Sequence, residues 1–310
     1  MNEAASAAAG SRASLASRLL PKSWIWRHGA MDHSLARKNL DTITLDGLRV
    51  IMMNSVVYAL ALLCCGAGLA LAGEGPYAVF SWTKAHATFY GGDDARGTQG
   101  GACGYGNMYT RGYGVKTVAL SYTVFNEGLT CGACFQIKCD LSMKPRWCYA
   151  NGGIITVTAT NSCPPNWARP TNNGGWCNPP RVHFDLSYPM FAQLAQKVAG
   201  IIPIQYKRVK CVRSGGIRFT INGNPYFNIV LVHNVGGYGN VVTLYIKGTN
   251  SPWFKMKQNW GANWEDHNKL TNQKLSFKAT LGTGETMIFK DITGTYWSHG
   301  QTYEANNNYY

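Results

Sequence analysis

The sequence predicts a mostly β protein, in which a small cystine-tied closed barrel is followed by a β-sandwich. Three observations carry that expectation. Short runs rich in Val, Ile, Thr and Tyr alternate with Gly, Asn and Pro clusters, and few stretches show a 3.6-residue apolar repeat. Thirty-five glycines without a fixed period favour turns and close backbone approaches over long helices. Eight of the ten cysteines lie between Cys103 and Cys211, and none follows. With 310 residues, 45% hydrophobic and 14% charged, the chain has room for about two domains and the apolar material for their cores.

The first element is an apolar run, Val50–Ala72, ending in the small-x-small site Ala70-Leu71-Ala72. Cleavage there would free a chain that starts near Gly73. Retained, the run is long enough to serve as a signal anchor. Arg37, Lys38 and Arg49 on its N-terminal side direct the C-terminal part of the chain outward in both cases. The Ala/Ser/Arg-rich stretch upstream has no periodicity, and Met52 or Met53 is an alternative start. The expected organisation is a leader over 1–72, a cystine-rich barrel domain over 73–212 and a sandwich domain over 213–310.

Within the barrel, strands are expected at Ala85–Tyr90, Thr117–Val124, Cys134–Lys138, Ile154–Thr160 and Tyr206–Val212. Phe191–Ala199 has apolar residues at helical spacing and is the best helix candidate. After the short link Val212–Gly216 come Ile217–Ile221, Tyr226–His233, Val241–Lys247, Lys274–Thr280 and Thr286–Asp291. These five runs are separated by Asn-Gly, Gly-Gly and Gly-Thr turns, which suits a sandwich of about a hundred residues. Cys103, Cys131, Cys134, Cys139, Cys148, Cys163, Cys177 and Cys211 form an even set behind a secretory leader. That implies disulfides rather than thiols, with the pairing open. Cys131-x-x-Cys134 lacks a second CxxC or a spaced His pair, so neither a metal nor another cofactor is expected. From Gly73 on, 22 basic residues face 11 acidic ones. A secreted basic chain points to acidic polysaccharide or to a solvated surface, and away from nucleic acid.

Chemistry concentrates in His183-Phe184-Asp185. On a strand, His183 and Asp185 share one face. Glycoside hydrolysis generally needs two carboxyl groups flanking the bond. Of Glu74, Asp93, Asp94, Glu127, Asp140 and Asp185, only Asp185 has a strand context, whereas Asp93 and Asp94 sit in a GGDDARG turn. One acid without an evident base argues against turnover. A weak endoglucanase would need Asp93 or Asp94 to reach across to Asp185, and a cellulose-binding module without loosening activity is the other alternative. In the second half, Tyr226, Phe227, Trp260 and Trp264 read as rings for stacking on sugar faces, flanked by Lys247, Lys255, Lys257, Lys274 and Lys278. Trp297, and also Trp253, read as sandwich core.

Several long segments resemble plant α-expansins from Ala78 to about Thr302. They are His86–Gly92 (HATFYGG), Gly100–Asn107 (GGACGYGN), Cys131–Phe135 (CGACF), TATNSCPPNWA from Thr158, WCNPPRVHFDLS from Trp176 and GGIRFTINGNPYFNIVLVHNVGG from Gly215. The resemblance implies a six-stranded double-psi β-barrel followed by an Ig-like β-sandwich that binds cellulose. It further implies a monomer that separates cellulose from xyloglucan-like matrix glycans without cutting them, favoured at acidic pH. Asp185 resembles the general acid of related barrel endoglucanases. Their base would fall at Gly91-Gly92, and an Asp of several relatives falls at Ala159, so both carboxylates are missing here. Thr88, Tyr90, His183 and Asp185, with Asp94 as a weaker candidate, are then the groove residues. Asp93 and Arg96 stand where small polar residues are more typical of the family.

Overall fold

The computed structural model describes residues 80–310. The expected leader, cleavage site and membrane anchor lie outside the described residues. The first six strands are β1 (Thr83–Tyr90), β2 (Thr117–Ser121), β3 (Cys134–Cys139), β4 (Ile155–Cys163), β5 (His183–Ser187) and β6 (Ile202–Val209). They close into a barrel in the order β1-β5-β2-β4-β3-β6. The β1–β5 and β2–β4 pairs are parallel and the others antiparallel. Strand alternation fills the barrel. On β6, Ile202, Ile204 and Tyr206 point inward and meet Phe135, Ile137, Phe184 and Leu186 in one buried cluster.

The remaining strands form two sheets. One has the order β10 (Phe254–Lys255), β9 (Val241–Gly248), β13 (Leu275–Leu281), β14 (Thr286–Phe289). The other has the order β11 (Lys257–Trp260), β12 (Asn263–Asp266), β8 (Phe227–His233), β7 (Arg218–Asn224), β15 (Gln301–Glu304). Their inner faces share a core that includes Phe219, Phe277 and Phe289, with Phe219 and Phe277 stacked at 4.2 Å.

Four disulfides join Cys103–Cys131, Cys134–Cys211, Cys139–Cys148 and Cys163–Cys177. The CxxC pair is thus divided between two bridges. The Cys134–Cys211 bridge spans a sequence separation of 77 and, on chain entropy alone, constrains the unfolded chain by about 4–5 kcal/mol.

Barrel and sandwich strands belong to one compact unit. Leu231 and Ala262 from the second half sit in the barrel's core cluster, and Ala262 N donates to Cys103 O. Arg111 Nη1 donates to Thr220 Oγ1 and lies 3.0 Å from His233 Nε2. Backbone meets backbone at Gly132 and Gly239, where a Cβ on Gly132 would lie 2.4 Å from Gly239 O.

The expected helix Phe191–Ala199 is not formed. A single helical turn covers Tyr188–Phe191 and a 3-10 turn covers Lys197–Ala199. Between them Ala195 forms a β-bridge to Cys148 while Phe191 and Leu194 plug the barrel. The Cys139–Cys148 bridge holds that partner loop in place, and this tertiary contact outweighs the apolar spacing. The strand expected over Thr117–Val124 stops at Ser121 and turns into a one-turn helix, Tyr122–Phe125.

Candidate functional site

Parallel pairing of β1 with β5 sets His86 beside His183, Thr88 beside Asp185 and Tyr90 beside Ser187. Alternation puts Ala85 and Ala87 inside the barrel and His86, Thr88 and Tyr90 on the face shared with His183 and Asp185. Thr88 Oγ1 donates to Asp185 Oδ1 at 2.7 Å and lies 2.8 Å from His183 Nε2. The other ring nitrogen, His183 Nδ1, is buried without a partner. A proton on Nδ1 would be orphaned, so the neutral ring carries it on Nε2. The result is a directed chain in which His183 Nε2–H donates to Thr88 and Thr88 donates to Asp185.

The electrostatics follow from burial. Burial pushes the Asp185 carboxyl up to about 6, against the opposing pull of the Thr88 hydrogen bond. Burial, then the charges of His86 and Arg181, hold His183 down to about 3, so the ring is neutral wherever Asp185 titrates. His86 is lowered by burial and by Arg181. Tyr90 is pushed up to about 12 chiefly by burial, and its Oη lies 3.5 Å from Asn161 Nδ2. Asn161 is itself fixed by accepting from the Ala102 and Ser162 backbone N–H groups.

A groove of about 630 Å³ opens over Thr88 and Asp185, lined also by Pro164, Asn166 and Trp176 among others, while Tyr90 does not line it and His183, fully buried behind Thr88, needs correction as a groove-lining residue. The Cys163–Cys177 bridge closes the loop that supplies its outer wall. Asn178 holds that loop from within by accepting from Asn166 N and donating to Asn166 O and Arg169 O.

Asp94 is not brought to this cluster. Its Oδ1 accepts from Arg96 N and its Oδ2 pairs with Arg96 Nε at 3.1 Å, so the carboxylate folds back on its own exposed loop. Asp93 pairs with Lys197 Nζ at 2.9 Å. Asp140 caps the turn Leu141–Met143 and is held below the usual carboxylate range first by the Ser142 hydroxyl. At Gly91, φ is +87° and a Cβ would lie 2.6 Å from Thr98 Cγ2, so a side chain at that one position is crowded out, whereas a Cβ at Gly92 would come no nearer than 3.8 Å to Asp94 Oδ1. Ala159 is fully buried in the barrel core.

On the sandwich, Trp260 is 51% exposed and Tyr226 66% exposed, and Phe227 is half-buried with its ring edge-on to His267. Trp264 needs correction as a stacking ring, because it is only 4% exposed and lies in the sandwich core. Register gives the reason. Trp264 pairs with buried Val230 on the inner face, whereas Trp260 pairs with Asn263 one residue out of phase. Trp253 is half-buried between Lys247 and Lys278 rather than packed in the core, while Trp297 does pack against it. Of the five lysines expected around the platform, Lys257 is on its sheet, paired with Glu265. Lys247, Lys255 and Lys278 are on the opposite sheet.

Sequence reasoning missed His86, Arg181, Asn161 and Trp176. The two-residue period that singled out His183 and Asp185 also reaches Arg181, and applied to Thr88 it reaches His86. Trp176 belongs to a loop, for which no periodicity exists, and Asn161 lies on β4 beyond the irregularity in its pairing with β2, where the period is broken.

Residues 217–293 match the Expansin C-terminal domain model and residues 117–206 match a model described as Lytic transglycolase. The chain is 50% identical to Expansin-A25 of Oryza sativa subsp. japonica, over 77% of this chain and 93% of that protein. It is 48% identical to Expansin-A13 of the same species, over 82% and 98%. With Expansin-A7 of Arabidopsis thaliana it shares 48% identity over 77% and 92%. The fold matches the crystal structure of apo Clavibacter michiganensis expansin with a TM-score of 0.56 at 18% identity, covering 74% of this chain and 98% of that one. A mutant of that bacterial expansin, solved in complex with cellohexaose, matches with a TM-score of 0.54. With half of the aligned positions identical across nearly the full length of rice Expansin-A25, and with a barrel and sandwich of the matching architecture, the chain belongs to the expansin family.

Proposed function

We propose that this expansin loosens plant cell walls without hydrolysis, separating cellulose from xyloglucan-like matrix glycans, most strongly at acidic pH. The observation that carries the reading is a single half-buried carboxyl in the groove, Asp185, pushed up to about 6. Its Oδ1 is occupied by the Thr88 hydroxyl, so a proton taken up below pH 6 resides on Oδ2. There it donates to a glycan oxygen in competition with the hydrogen bonds that hold that chain to its neighbour. Tyr90 and His183 hold the rest of the constellation. Tyr226, Phe227 and Trp260 form the surface that keeps the protein on cellulose. The cellohexaose bound by the bacterial relative supports a β-glucan as ligand. The plant relatives support a secreted protein working in the wall, and we take it as a monomer with 73–212 as groove domain and 213–310 as binding domain.

A weak lytic activity is the competing reading, favoured by the match of residues 117–206 to the Lytic transglycolase model. Against it stand the pairings of Asp93 with Lys197 and Asp94 with Arg96, and the lack of space for a side chain at Gly91. Extension of heat-inactivated walls under constant load, with reducing sugars assayed in the same bath, separates the two. Creep that rises as pH falls through about 6, without sugar release, is the expected outcome. Sugar release in step with creep would establish hydrolysis instead.

A further inference from the structure

A second concave site lies away from the groove, where the barrel hands the chain to the link Val212–Gly216. Its floor follows from strand register. Cys134 lies opposite Thr158 and Val209, and Gln136 lies opposite Thr156 and Lys207. Opposed residues share a face, so Thr156 and Gln136 come to the outer side while their neighbours Phe135 and Val157 fill the barrel core. Arg213 forms the wall and is held from three sides. Its guanidinium carbon lies 4.8 Å from the Tyr113 ring centroid, and its Nη2 donates to Thr158 Oγ1 at 2.8 Å. The Cys134–Cys211 bridge ties the chain two residues before it to the floor. Lys116 enters from the β2 edge, where its carbonyl accepts from Thr158 N. With Lys210 these side chains line a space of about 410 Å³ into which no Asp or Glu reaches.

The three cations are not neutralised. Among the described residues, no ion pair involves Lys116, Lys210 or Arg213. Lys210 Nζ donates to Tyr310 O at 2.9 Å, which uses one of its three protons. Arg213 Nε is buried and has no acceptor, and Nη2 alone carries the hydrogen bonds of the guanidinium. A buried donor left unpaired is costly, and an anion in the adjoining space relieves that cost. The donors meet in one concavity rather than along a strand row, which suits a compact anion and not an extended chain. They also approach from different directions: a guanidinium from the link, an ammonium from the β2 edge, a hydroxyl and an amide from the floor. A carboxylate presents two oxygens in one plane, whereas a phosphate presents oxygens on all sides. We propose that this pocket binds a phosphate-class dianion, free or as the monoester of a small polyol, through Arg213, Lys116, Thr156 and Gln136, with exposed Lys210 beside them. Occupancy pins Arg213, and with it the link, to the barrel floor. The site is independent of how the groove works.

The test titrates the intact protein with inorganic phosphate, glucose 6-phosphate and galacturonate at fixed ionic strength, read by calorimetry. Saturable binding of phosphate or glucose 6-phosphate, about tenfold tighter than of galacturonate, is expected. Whichever of the two phosphates binds more tightly identifies the source of the dianion. R213Q is expected to weaken binding about tenfold, and R213K nearly as much, since lysine keeps the charge but not the planar fork. K116Q changes an exposed side chain and is expected to weaken binding about threefold, so it carries the test if R213Q fails to fold. K247Q/K278Q removes twice the charge from the two lysines over Trp253 on the sandwich and is the control, expected to change nothing. Absence of saturable phosphate binding would overturn the proposal, as would unchanged binding in K116Q or an equal loss in the control. Galacturonate bound as tightly as phosphate would also overturn it, in favour of carboxylate recognition.

Discussion

The groove on the barrel and the aromatic surface on the sandwich hold their functional side chains by opposite means. In the groove, Asp185 is half-buried and steered by a hydrogen-bond chain through Thr88 to His183. On the sandwich, Trp260 and Tyr226 project from a strand end and a turn into solvent. On the proposed function the groove would respond to protons and be sensitive to any lost partner. The surface responds to area alone and tolerates change around it. Adjacent rings can differ completely, and Trp260 and Trp264 do so, four residues apart with one exposed and one in the core.

The largest expected effect tests that last contrast. Trp264→Ala empties a core position and should cost about 3–5 kcal/mol of stability in denaturant titration. Trp260→Ala should leave the midpoint within about 0.5 kcal/mol. Equal losses in both would mean that the two rings are not divided as described.

Asp185→Asn sharpens the comparison from the groove side. It should remove nearly all acid-induced creep while cellulose retention stays unchanged. It also reports on stability. A carboxyl at about 6 in the fold and near 3.9 in the unfolded chain contributes stability that is full below pH 3.9 and lost as pH rises through 6. Wild type and Asp185→Asn should therefore diverge between pH 4 and pH 7, with the wild type losing about 2–3 kcal/mol relative to the variant. His183, depressed to about 3, contributes the opposite slope, with stability present above 6.5 and lost as pH falls toward 3. That slope is common to both proteins and cancels in the difference. Parallel pH–stability curves would remove the raised carboxyl from the account.

On the sandwich side, Trp260→Ala should weaken cellulose binding about tenfold, measured as depletion from solution, since a central aromatic anchor is worth one to two kcal/mol. The smallest effect is expected at Asp94→Asn, where creep should stay within about twofold of wild type because the carboxylate is spent on its own loop. A large loss there would bring Asp94 back into the groove.

How much was legible depends on where each residue sits. Strand periodicity gave the barrel and sandwich runs and placed His183 with Asp185, because a two-residue period survives in any strand with one buried face. It failed for Trp264, since NWGANWED turns back at Gly261-Ala262 and the hairpin inverts which ring faces the core. The short strands β10, β11, β12 and β15 were hidden because two to four residues carry no readable period. The helix over Phe191–Ala199 was misread because its apolar residues answer to a disulfide-held loop rather than to one another. The Asn178 and Asn161 clamps depend on loop backbone that only the folded chain brings close.

The contact of Gly132 with Gly239 has a mechanical consequence. Two halves joined by peptide chain alone would swing, and a pull on one would be absorbed by slack in the other. Here main chain abuts main chain, with Ala262 bonded to Cys103 and Arg111 reaching Thr220. On the proposed function, a fibril gripped by the sandwich and a strand lodged in the barrel would be held at a set separation, and displacement of either would be passed to the other. The molecule acts as a strut rather than a tether.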